Sequence, residues 1–149
     1  NLITFMSRKL PQHSTQVLFF LKKHLPNNWN IKDLNNIDEK EVYKNLCLSK
    51  IFLAFSNLEG LPLPPVEAAI AGNYVIGYTG EGGKDYWKKP IFTEIYSGDI
   101  RNFVKQVIKK VAEINSSNKL KQKQYRSLAN NFSKENEIHH IKKFLNYIS

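Results

Sequence analysis

The stretch IFLAFSNLEGLPLPPVEAAIAGNYVIGYTGEGGKDY, residues 51–86, decides the fold. It opens on Ile51–Phe55, five apolar residues without a polar break. A strand of that composition is covered on both faces, as in a parallel sheet. A loop follows, then a helix from about Pro64 or Pro65 to Ala71. Proline fits the first helical turn because the N–H it lacks would have no partner there. Gly72 and Asn73 end that helix. Tyr74–Tyr78 is a second strand, followed by a glycine-rich turn over Thr79–Gly83 and a short helix near Lys84–Lys88.

The rest of the chain extends the same alternation. Upstream, Leu2–Met6 reads as a buried strand, Ser14–His24 as a helix and Trp29–Leu34 as a weaker strand. Asp38 is placed to cap a helix running to about Ser49, with Glu39 and Glu41 in its first turn, where the helix dipole favours them. Downstream, Thr93–Tyr96 is a last short strand and Asp99 caps a long helix. Ile100, Phe103, Val104, Val107, Ile108 and Val111 form its apolar stripe. Two more helices, over Lys119–Phe132 and Lys134–Tyr147, finish the chain. Strand and helix in alternation mean an α/β fold, a Rossmann-like parallel sheet with helices on both faces, in one domain.

In such a sheet, function sits at the carboxyl ends of the strands. Six of the seven glycines lie between Gly60 and Gly83, and three of the six prolines between Pro62 and Pro65. That density marks backbone held in special conformations close to something. Three segments stand out. Ser56–Ala69 runs from a strand end into a helix start and carries Glu59 and Glu67 eight positions apart. A helix start favours an anion, and a carboxylate beside it suits the paired hydroxyls of a ribose. Gly80, Gly82 and Gly83 let backbone approach a ligand. Arg8 and Lys9, after the first strand, are two cations able to meet a diphosphate.

With those residues in place, Ile51–Tyr86 resembles the nucleotide-sugar-binding half of the GT-B glycosyltransferases. More narrowly, it is similar to the retaining group called family 4, or glycosyl transferases group 1. That group carries two glutamates separated by seven residues, usually within Glu-Gly-Phe-Gly-Leu-Pro-x-x-Glu-Ala. Glu59, Gly60, Leu63, Pro64, Glu67 and Ala68 match it, and the later AGNYVIGYTGEGG matches the group's small-residue and Gly-Gly run. The resemblance implies a set of roles. Glu59 lies by the donor sugar at the reacting carbon, and Glu67 holds the ribose hydroxyls. Gly60, Leu61 and Leu63 approach the sugar and phosphates through their amides, and Arg8 and Lys9 meet the diphosphate. It implies transfer of a sugar from a nucleotide diphosphate sugar, with retention and without a metal or other cofactor. An N-terminal domain of the same chain would supply the acceptor site, and residues 1–149 would be the donor-binding domain alone. The acceptor would be a glycan or a lipid-linked molecule, which leaves peripheral attachment to the inner face of a membrane open. Three departures stand against the pattern. Pro62 replaces the loop's second glycine. The two cations are adjacent rather than spaced apart. The acidic residue three positions after the Gly-Gly pair is missing, with Asp85 standing at two.

Composition sets the outer limits. The chain has 149 residues, 42% hydrophobic and 23% charged, as an ordinary globular domain has. No apolar run reaches the ~20 residues of a membrane-spanning helix, and the first residues do not read as a signal peptide. The chain starts without Met on a strand-like segment, which reads as a piece of something longer. One cysteine, Cys47, excludes an internal disulfide framework and fits the cytoplasm. At helical spacing with Val42, Tyr43 and Leu46, it reads as a buried packing residue. Residues 101–149 carry a net +8 of the chain's +9. This keeps open a non-catalytic reading, a nucleotide- or nucleic-acid-binding module using basic C-terminal helices. Nucleic-acid binding would need aromatics interleaved on an exposed face, whereas Phe103, Tyr125, Phe132, Phe144 and Tyr147 read as core contacts. His139-His140 has no acidic or cysteine partner at metal spacing. No Asp-x-Asp, no phosphate loop with its lysine and no complete Gly-x-Gly-x-x-Gly is present.

Overall fold

The computed structural model describes residues 1–116 and 129–148. Five strands form one parallel sheet: β1 (Leu2–Phe5), β2 (Asn30–Asp33), β3 (Ile51–Glu59), β4 (Tyr74–Glu81) and β5 (Phe92–Glu94), in the order β2-β1-β3-β4-β5. The helices are α1 (Pro11–His24), α2 (Glu39–Leu48), α3 (Leu63–Ile70), α4 (Ile100–Ser116) and α5 (Lys134–Ile148). The Rossmann-like α/β reading holds.

The apolar run of β3 explains itself by its two faces. Ile51, Leu53 and Phe55 point into one core with Val17 and Leu21 of α1 and Phe103, Val107 and Val111 of α4. Phe52 and Ala54 point into the other, with Leu46 of α2 and Ala68 and Ala69 of α3. The expected caps form. Asp38 accepts from the Glu41 amide at 2.8 Å and Asp99 from the Asn102 amide at 3.0 Å. Asn73, fully buried, donates to the carbonyls of Leu46 and Ala68 at 2.8 and 2.9 Å, tying α2 and α3 to the start of β4.

Several boundaries differ from expectation. Helix α1 starts at Pro11, which occupies its first turn, not at Ser14. Strands β3 and β4 run past their apolar cores, because after an irregularity their pairing resumes with Glu59 opposite Glu81. Glu59 is therefore a strand-end residue rather than a loop residue, and Thr79–Glu81 belongs to β4. The short helix is a 3-10 turn over Gly82–Asp85, and the last strand is Phe92–Glu94. Cys47 is exposed, not buried. The inward positions of α2 are Asn45 and Leu46, and one further step of 100° carries Cys47 outward beside Tyr43. The helix expected over Lys119–Phe132 lies largely outside the described residues. No helix among the described residues is long and apolar enough to cross a membrane.

Candidate functional site

Strand order locates the site. β1 and β3 lie side by side, but the chain leaves β1 for β2 on one side and β3 for β4 on the other. This reversal opens a crevice at the carboxyl ends of the two strands, where ligands of open α/β sheets bind. A small, open cleft occupies it, lined by Met6, Arg8 and Lys9 beyond β1, Ser56 and Glu59 of β3, and Pro62, Pro64 and Pro65 at the start of α3. Lys9 donates through Nζ to Glu59 Oε2 in a short ion pair. The Lys9 and Glu59 side chains are 44% and 18% exposed, so the pair is partly open to solvent. Arg8 is exposed and has no acidic partner among the described residues. Two residues adjacent in sequence thus do different things: one cation is held by a carboxylate and the other is free.

The start of α3 offers less to an anion than a helix start ordinarily does. Pro62 is its N-cap and Leu63, Pro64 and Pro65 follow. Of these four, only Leu63 has an N–H, so charge recognition in the cleft rests on Arg8 and Lys9. Leu61 and Leu63 are about half exposed. Glu67 is exposed on α3 and does not line the switch-point cleft. The structure therefore brings Arg8, Lys9 and Glu59 together and leaves Glu67 outside the cleft lining.

The glycines have a different cause from the one the sequence suggests. Gly80 has φ +68°, and a Cβ there would lie 2.7 Å from the Asn57 carbonyl oxygen. A Cβ on Gly82 would lie 1.8 Å from the Gly60 carbonyl oxygen, and one on Gly83 3.3 Å from the Tyr86 hydroxyl. The space above Gly80 and Gly82 is filled by the β3–α3 segment of the chain itself. Chain-on-chain contact by itself requires glycine at both positions.

Tyr86 escaped the sequence reading. Its hydroxyl donates to the Pro62 carbonyl at 3.1 Å. Its ring stands edge-on to Phe92 and Phe132 at 5.6 and 5.5 Å. The one signal was its place three positions after Gly83, where the acidic residue of the resembled pattern is missing. Burial, and then the Glu59 charge, push its phenol up to about 12. The hydroxyl is therefore a donor throughout the neutral range. The sign of the pH effect follows. A pKa raised on folding favours the protonated fold, so stability is intact below about pH 10 and falls as pH climbs towards 12. Burial also raises Tyr78, in the same direction. Urea unfolding at pH 9 and pH 11 should show a smaller alkaline loss in Tyr86→Phe than in the wild type.

His13, in the first turn of α1, meets the Tyr78 ring edge-on at 5.7 Å, and its buried Nδ1 has no hydrogen-bond partner. The C-terminal aromatics correct another expectation. Phe103 is core, but Phe132 and Phe144 are 37% and 62% exposed. Phe144 shares an uncovered face of α5 with Ile138, Ile141 and Leu145. Tyr125 and the Tyr147 side chain lie outside the described residues. Among the described residues no three His, Cys, Asp or Glu side chains gather as a metal ion would require. Compared with protein-family models, with curated proteins and with solved structures, the chain matches none.

Proposed function

We propose that the chain is the donor-binding domain of a retaining, metal-independent GT-B glycosyltransferase, acting on a nucleotide diphosphate sugar. The observation that carries this reading is the cleft at the β1/β3 switch point. It places Glu59, the first glutamate of the resembled motif, against Lys9 and beside Arg8. In this reading an incoming diphosphate takes Arg8 first, because it is free. Its second phosphate then competes with Glu59 for Lys9. Released, Glu59 accepts hydrogen bonds from the sugar hydroxyls and orients the reacting carbon. As the bond to the diphosphate breaks, Arg8 and Lys9 stabilise the charge that develops on the leaving oxygen. Glu67, exposed on α3, holds the ribose hydroxyls. The acceptor site belongs to another domain of the full enzyme, which acts in the cytoplasm or peripherally at the inner face of the membrane.

One observation favours a second reading. Arg101, Lys105 and Lys109 stand at steps of four on the exposed side of α4, and none has an acidic partner among the described residues. Like charges so spaced repel, and a polyanion would relieve that. Calorimetric titration of the chain with UDP, GDP and ADP, repeated on Glu67→Ala, separates the two. The donor-site reading expects saturable binding of one nucleotide, lost in the variant. Binding of none, or binding unchanged by Glu67→Ala and steeply weakened by salt, overturns it.

A further inference from the structure

The turn between β3 and α3 is made of Gly60, Leu61 and Pro62. It is exposed at Gly60 and Leu61, and a Cβ on Gly60 would touch nothing within 4 Å. Pro62 is buried and the Gly60 carbonyl lies against Gly82, but these contacts leave the Pro62 carbonyl without a partner of its own. Beyond the last β3–β4 pair, Glu59 with Glu81, it is tied down by the Tyr86 hydroxyl on the Pro62 carbonyl. Tyr86 is well placed to act as a fixed post. Its ring is clasped by Phe92 and Phe132, and its backbone follows the 3-10 turn whose Gly82 lies against Gly60.

We propose that Tyr86 is a positioning residue: by holding Pro62 it fixes the Glu59–Leu63 turn and thereby sets the affinity of the switch-point cleft for a nucleoside diphosphate. The inference rests on the donor-site reading for its ligand, but the positioning itself does not. It goes beyond that reading by assigning a role to a residue outside the cleft, which Tyr86 does not line. The physical argument is one of freedom. Three prolines leave Leu63 as the one amide donor among Pro62–Pro65, so losing its aim cannot be made good by a neighbour. A turn free to move also takes Glu59 with it, and Glu59 governs whether Lys9 is available. Ordering the turn in advance spares the ligand that cost on binding.

Tyr86→Phe tests it, since phenylalanine keeps the ring contacts and removes only the hydroxyl. Two readouts are needed. Amide hydrogen exchange at Gly60, Leu61 and Leu63 should quicken about tenfold, the worth of one such hydrogen bond, while Leu53 and Ile76 in the sheet stay unchanged. Titration with UDP, GDP and ADP should show the nucleotide that the wild type binds held about tenfold more weakly, while the melting temperature falls by no more than about 5 °C, the share of one hydrogen bond. A purely structural role would instead lower the melting temperature and leave the nucleotide affinity unchanged, and that result overturns the proposal. Unchanged exchange in the turn also overturns it, whatever the nucleotides do. If the wild type binds none of the three nucleotides, the donor-site reading fails, and turn exchange still decides whether Tyr86 positions the turn.

Discussion

Gly82→Ala should destabilise the chain by about 3 kcal/mol or more, whereas Gly60→Ala should change stability by less than about 0.5 kcal/mol. The two glycines face each other across one contact, yet only one needs to be glycine. A methyl on Gly82 would sit 1.8 Å from the Gly60 carbonyl oxygen and 2.7 Å from that of Glu59. Both obstacles are backbone, so no rotamer change relieves them. The 3-10 turn must move away from the end of β3, breaking the Glu59–Glu81 pairing and the Tyr86–Pro62 hydrogen bond together. A methyl on Gly60 meets nothing within 4 Å. Thermal unfolding of both variants checks this. For a chain of this length the Gly82 variant should melt lower by about 10 °C. Equal melting temperatures would show that the two segments are not in contact.

That contrast marks where the sequence stops being readable. A glycine-rich segment announces that backbone approaches something closely. What approaches depends on which chain lies opposite, and Gly60 and Gly82 are 22 positions apart. The same limit hides Tyr86, whose partner Pro62 is 24 positions away. Features fixed by local physics were legible. The unbroken apolar run of β3 announced burial on both faces, and Asp38 and Asp99 announced helix starts. The end of β3 was not legible. The unbroken apolar run stops at Phe55, beyond which Ser56 and Glu59 line the cleft and Asn57 and Leu58 are exposed, while backbone pairing continues to Glu59. Cys47 was misplaced by one residue of helical phase, which on a 3.6-residue period is the difference between core and solvent. For the site, the sequence placed Arg8 and Lys9 just after one strand and Glu59 in the loop after another, and in a parallel sheet such segments lie along one edge. It could not show that β1 and β3 are neighbours, and that adjacency alone lets Lys9 pair with Glu59.

The pairing yields the second large effect, with opposite signs at two residues of one cleft. Arg8→Ala should weaken the nucleoside diphosphate that the wild type binds by between about tenfold and a hundredfold. Arg8 is the unpartnered cation in the cleft, and a charge-assisted hydrogen bond is worth roughly 1.5–3 kcal/mol. The helix start cannot compensate, because its N-cap, Pro62, and two of its first three residues, Pro64 and Pro65, are proline. Glu59→Gln should do the reverse, tightening the same nucleotide by about threefold to tenfold, the scale of a partly exposed ion pair. With the carboxylate charge removed, Lys9 no longer has to be won from Glu59. The full nucleotide sugar should not share this gain, because the glutamine can no longer offer the sugar a charged acceptor. Transfer by the intact enzyme should fall even as the bare nucleotide binds better. Titration of the two variants with the nucleotide and with its sugar conjugate reads all four terms. If Glu59→Gln weakened the bare nucleotide instead, Glu59 would be holding Lys9 in its productive place, and competition for Lys9 would not be how the cleft opens to its ligand.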